Sequence, residues 1–279
     1  EKMESRRNVI TIVFVLISFF IFAQDNLFLT NDQAKSEVKT VVDNILRYHP
    51  NPFHVTSKED FYVAIDEIIE RKGKRSIGQH FFDLHRISSM IYDTHTQLHA
   101  TDATPGLNKT FPLRFRIFPD GLYIIAGDKK YYDAIGKKIV SINGKNPLEV
   151  IDTLSHYSAA DNDPRRKVFA EVFLYMPETY EVFNLVNPNG EILLELSDLD
   201  GKTSSVKLEH TWAKGLADFS NDSQNPFIPN ELITVHDKYD KEPPHYLKNI
   251  NDDYWWTFLD KEKKLQYIQI NKQYGEQDG

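Results

Sequence analysis

From Val38 to Ile91 the apolar residues keep a helical spacing, and from Phe111 onward they change to the runs and alternation of strands. That switch constrains the fold most, because a segment patterned for a helix cannot present one face as a strand. It predicts an α+β chain with a helical first part and a β-rich second part. Asn31-Asp32 opens a helix running to about Tyr48, with Val38, Val41, Val42, Ile45 and Leu46 on one face. His49-Pro50-Asn51-Pro52 breaks it, since two prolines in three residues cannot continue a helix. Ser57-Lys-Glu-Asp60 resembles a capping box before a second helix with Phe61, Ile65, Ile68 and Ile69 inward. Ser76-Ile-Gly-Gln79 opens a third, carrying Phe81, Leu84, Ile87 and Ile91. Residues 31–92 are therefore expected to form a three-helix unit.

In the second part, Phe111–Phe118 and Leu122–Ala126 read as strands joined by the turn signature Pro119-Asp120-Gly121. Lys138–Ile142 is a further strand closed by Asn143-Gly144, and Pro147–Leu154 a helix with proline in its first turn. Residues 164–186 are expected to be helical but split at Pro177, and Glu191–Leu196 with Ser204–His210 to form a hairpin. Residues 213–251 carry Pro226, Pro229, Pro243 and Pro244 among polar residues and read as a linker. Tyr254–Leu259 and Leu265–Ile270 read as two opening strands of a further unit.

Composition removes several functional classes. A net charge of −8 with scattered basic residues gives no footprint for nucleic acid. The absence of cysteine removes disulfides, thiolate chemistry, cysteine zinc sites and iron–sulfur clusters. Basic Arg6-Arg7, an apolar run from Val9 to Ala23 and then polar Gln24-Asp25-Asn26 describe a secretory signal peptide. The run is short for a membrane span. The expected location is therefore the periplasm or the extracellular space, with no stable membrane anchor after cleavage.

The stretch Ile91-Tyr-Asp-Thr-His-Thr-Gln-Leu-His-Ala100, where the third helix runs out, concentrates the chemistry. Three readings stand side by side. His95 is a general base, with Asp93 or a threonine hydroxyl fixing its tautomer; or it is a structural histidine favoured by the helix C-terminus; or His95 and His99 bind zinc with Asp93. Alternation from His95 to Ala100 reads as strand, which places the two histidines too far apart for easy co-ligation. No metal or cofactor is expected. Ser36-Glu-Val-Lys39 lacks its partner motifs, Gly201-Lys-Thr203 lacks the earlier glycine of a phosphate loop, and Ser76 is better explained as a cap.

Gly136-Lys-Lys-Ile-Val-Ser-Ile-Asn-Gly144 followed by Pro147-Leu-Glu-Val-Ile resembles the core of PDZ-like domains. With the preceding Asp93-Thr-His-Thr96 and the following Leu265–Asn271, the order over residues 31–279 resembles the tail-specific (C-terminal processing) and tricorn-core serine peptidases. Joined to the signal peptide (1–23) and linker (213–251) read above, that resemblance implies a helical domain (24–105), a PDZ-like domain with a helical and hairpin extension (106–212) and the start of a truncated crotonase-like α/β peptidase domain (252–279). It implies His95 as general base and Thr94 as an auxiliary hydroxyl, acting on a polypeptide substrate. In members that use a Ser–Lys dyad, His95 need not be catalytic. The family's serine follows a glycine-rich turn, and no Gly-Gly occurs in this sequence, so the nucleophile is expected outside it. A PDZ-like domain captures an extended chain end at a sheet edge, which points to Gly121, Leu122 and Tyr123. Lys137 replaces the aspartate of the usual Gly-Asp pair. The alternative is a non-catalytic secreted peptide-binding or scaffold protein.

Overall fold

A computed structural model describes residues 28–98, 107, 109–212, 232–242, 244–245, 248–249, 252 and 254–270. Helices and antiparallel sheets make up this mixed α/β structure. The apolar run 9–23 lies outside the described residues. Among those described, no helix is long and apolar enough to cross a membrane.

The first three helices are α1 (Asn31–Tyr48), α2 (Lys58–Glu70) and α3 (Ile77–Ser89). The start of α1 is fixed one residue earlier than the sequence suggests. Thr30 and Gln33 form a reciprocal capping box, satisfying two backbone donors that a helix start leaves without partners. Ser57 caps α2 by accepting from the Asp60 N–H, and Ser76 with Gln79 completes a capping box on α3. Val38, Val42 and Ile45 meet Phe61, Ile65, Ile68, Ile87 and Ile91 in one apolar cluster. Two short strands, β1 (Phe28–Leu29) and β2 (Arg75–Ser76), pair antiparallel beside it. His80 is buried on α3, and its Nε2 lies 2.8 Å from the Glu37 carboxylate of α1.

A second face of α3 serves a second core. Phe82 leaves the helical cluster and packs edge-on against Tyr157, Phe173 and Phe183. That core lies against a sheet of six strands: β4 (Leu113–Phe118), β5 (Gly121–Gly127), β6 (Lys138–Ile142), β7 (Ile192–Ser197), β8 (Thr203–Leu208) and β10 (Ile233–Thr234). All pair antiparallel, in the order β10, β5, β6, β7, β8, with β4 also on β5. A two-residue turn, Pro119-Asp120, joins β4 to β5. Helices α4 (Pro147–Ser155), α5 (Asp163–Ala170) and α6 (Pro177–Val182), with a 3-10 turn at Glu171–Tyr175, cover the sheet. Pro177 starts α6 at a position where a missing N–H costs nothing, so the expected split occurs there.

Asn143-Gly144 does not join two strands. Asn143, at φ 46°, instead ties the end of β6 to its neighbours. Its side-chain amide donates to the carbonyls of Leu185 (2.5 Å) and Glu191 (2.9 Å) and accepts from the Leu193 N–H (2.9 Å). Within the range read as a linker, β10 adds to β5, and α7 (Val235–Tyr239) follows it. Ile233 and Val235 pack on the sheet core, and Lys238 donates to the carbonyls of Tyr132 and Ile135. Gly136, at φ 85°, admits the Tyr239 ring, which would stand 2.8 Å from any Cβ there. The remaining strands are β3 (Lys109–Thr110) with β9 (Thr211–Trp212), and the hairpin β11 (Tyr254–Asp260) with β12 (Leu265–Ile270).

Candidate active site

After α3 the chain passes through Tyr92, at φ 54°, into the Asp93-Thr-His-Thr96 turn. Asp93 organises this turn. Its carboxylate accepts from the His95 N–H at 3.1 Å and from the Thr96 hydroxyl at 2.5 Å, while its carbonyl accepts from the Thr96 N–H at 3.2 Å. An aspartate that accepts from the backbone two residues on locks a turn. Partial burial pulls the Asp93 carboxyl upward; the bonds from Thr96 and His95, with nearby His49, outweigh it and leave the group below its ordinary range. His49 Nε2 lies 3.5 Å from the same carboxylate, and the His54 ring stacks beside His49 at 6.0 Å between centroids.

His95 points outward, with 95% of its side chain exposed. Its Nδ1 lies 3.6 Å from the Asp93 carboxylate, beyond hydrogen-bond distance. The backbone of the turn is thus fixed while the imidazole remains accessible to an incoming group. An exposed imidazole beside a carboxylate is an arrangement that can pass a proton to or from an incoming group. Among the described residues, no cluster of three histidine, aspartate or glutamate side chains is placed to hold a metal. His99 lies outside the described residues.

Thr94 is engaged elsewhere. Its N–H donates to Asp161 at 3.2 Å, its hydroxyl donates to the same carboxylate, and the Asp161 N–H returns a contact to the Thr94 oxygen at 3.4 Å. Neither Asp161 nor its neighbour Arg166 was legible as part of this site. Asp161-Asn-Asp-Pro164 signals only a helix start, where Asn162 caps α5.

Gly121 and Leu122 line a cleft of about 400 Å³ with Asp120, Lys138, Val140 and Leu148. Tyr123 turns aside and donates its hydroxyl to Asp120 at 2.6 Å. Leu122 and Tyr123 are paired on both sides, with Arg116–Ile117 of β4 and with Lys138–Ile139 of β6, and Gly121 pairs with Phe118 of β4. The outer edge of β4 is also occupied, by the Glu171–Tyr175 turn. The Ile117 N–H donates to Glu171 at 2.7 Å, the Tyr175 hydroxyl donates to the Phe115 carbonyl at 3.4 Å, and the Phe111 N–H donates to the Tyr175 carbonyl at 2.8 Å. Burial pushes the Glu171 carboxyl up to about 7, against the opposing pull of Arg116, whose Nε lies 3.5 Å away.

No family model matches this chain, and no curated protein sequence matches it. Similar solved structures are of CPAF. The crystal structure of mature CPAF is 15% identical with a TM-score of 0.49, covering 66% of this chain and 35% of its own. Mature CPAF complexed with lactacystin is 13% identical with a TM-score of 0.47, covering 66% and 36% respectively. The chain therefore spans about a third of the length of these structures.

Proposed function

We propose that this chain is the N-terminal portion of an exported serine endopeptidase of the tail-specific or tricorn type, which cleaves polypeptides by acyl-enzyme chemistry. The observation that supports this best is the placement of the Asp93-Thr-His-Thr96 turn. It stands between the helical unit and the sheet unit, bonded across by Asp93 with the His95 imidazole exposed. His95 takes the proton of a serine hydroxyl as that oxygen attacks the substrate carbonyl, then gives it to the departing amine. A water molecule repeats the sequence on the acyl-enzyme. Asp93 orients the imidazole and stabilises its charged form. The serine and oxyanion hole come from a crotonase-like domain outside these residues, and the cleft beside Gly121 and Leu122 contributes to holding the polypeptide.

A serine-directed phosphonate probe tests the proposal. It should label the protein expressed from the whole reading frame and leave residues 24–279 alone unlabelled. Labelling of residues 24–279 would place the nucleophile within this chain. No labelling of either leaves the non-catalytic peptide-binding reading.

A further inference from the structure

The turn that carries His95 belongs in sequence to the helical unit, yet residues of the sheet unit tether it from outside. Residues 155–166 lie along the end of α3 and the turn that follows. Ser89 donates to the His156 carbonyl at 2.6 Å, and His85 Nδ1 lies 3.3 Å from the Tyr157 carbonyl. Arg166 is buried, donates to the carbonyls of Ser155 (3.1 Å) and His156 (3.3 Å), and lays its guanidinium over the Tyr92 ring at 4.4 Å. A tyrosine in the left-handed region is held there only where its surroundings fix it, and the Arg166 stack supplies one such constraint. One residue beyond Tyr92 and Asp93, Asp161 grips Thr94 through both its N–H and its hydroxyl.

We infer that Asp161 and Arg166 are positioning residues for His95, and that the Thr94 hydroxyl serves as the tether rather than as a partner of the imidazole. A threonine hydroxyl has one proton to donate, and here it goes to Asp161. With Tyr92 stacked on one side of Asp93 and Thr94 tied on the other, the backbone from which His95 projects is anchored to the sheet unit. The backbone that carries the base of the proposed site is thereby positioned by the sheet unit, across a seam of side chain-to-carbonyl bonds. Consistent with this, the Asp161 carboxyl is held below its ordinary range, chiefly by the Thr94 hydroxyl and N–H. The catalytic consequence rests on the function proposed above; the tether itself does not.

The test separates the two. In residues 24–279, amide exchange at Thr94 is measured by NMR for the parent chain, Asp161→Ala, Thr94→Ser and Thr94→Val, with the Phe82 amide as an internal control. Asp161→Ala should speed exchange at residue 94 at least tenfold and leave Phe82 unchanged. Thr94→Ser should retain protection, whereas Thr94→Val loses part of it. Exchange at residue 94 within twofold of the parent in Asp161→Ala overturns the tether, whatever the protein's activity. In the whole-reading-frame protein, Asp161→Ala and Arg166→Lys should lower kcat at least tenfold with KM within twofold, and Thr94→Ser should restore most of the rate lost in Thr94→Val. A broken tether with unchanged kcat overturns the positioning role. If His95→Ala itself leaves activity intact, the function fails while the exchange result still decides the tether.

Discussion

Glu171 offers a quantitative check on the physical account of the sheet. Only 2% of the residue is exposed, and its carboxyl stands at about 7 instead of 4.5, because burial penalises the charged form more than Arg116 and the Ile117 N–H favour it. Between pH 4.5 and 7 the unfolded chain has released this proton while the folded chain still binds it. The unfolded state then binds fewer protons, so stability falls as pH rises through that window. At about 1.4 kcal/mol for each tenfold change in the proton equilibrium, the loss is roughly 3 kcal/mol by pH 8. Glu178 is also pushed up to about 7 by burial, and contributes a separate loss of the same sign. Glu171→Gln keeps an acceptor for the Ile117 N–H and removes the titration. Urea denaturation of both proteins at pH 4.5, 6, 7 and 8 should show the parent losing about 3 kcal/mol more than Glu171→Gln across the range. Curves that stay parallel within about 1 kcal/mol would refute the claim that burial governs this carboxyl.

Two further substitutions probe what holds the architecture together. Phe82→Ala, which empties the aromatic contact between α3 and the sheet core, should cost about 3–5 kcal/mol in urea denaturation. Asn143→Ala removes three hydrogen bonds linking β6 to the approach and start of β7, at a backbone position that disfavours alanine. It should cost about 2–4 kcal/mol, and Asn143→Gly, which relieves the backbone but not the lost bonds, should recover less than half.

Local signals carried much of the fold. Ser57 and Ser76 marked helix starts, Pro119-Asp120-Gly121 marked a turn, Pro177 divided a helical stretch, and the β7–β8 hairpin and the strands β11 and β12 followed from short strand patterns. What stayed hidden depends on partners distant in sequence. One apolar stripe was assigned to α3, although Phe82 faces a different core from Ile87 and Ile91. Glu171 satisfies a strand edge 54 residues away, and Asp161 ties a turn 67 residues away. A polar side chain whose partner is so remote leaves no periodic trace. At the candidate site, Asp93 and His95 were recognisable because both sit in one short turn. The grip on Thr94 was not, because its other half lies in another unit.

The most direct test of the central claim is the ratio of kcat/KM between the whole-reading-frame protein and its His95→Ala variant on a polypeptide substrate. A general base contributes about 10²–10⁴-fold, so the account predicts a loss of at least about a hundredfold, with KM little changed. Activity retained within about tenfold would show that another group removes the nucleophile's proton, and would contradict the assignment of His95.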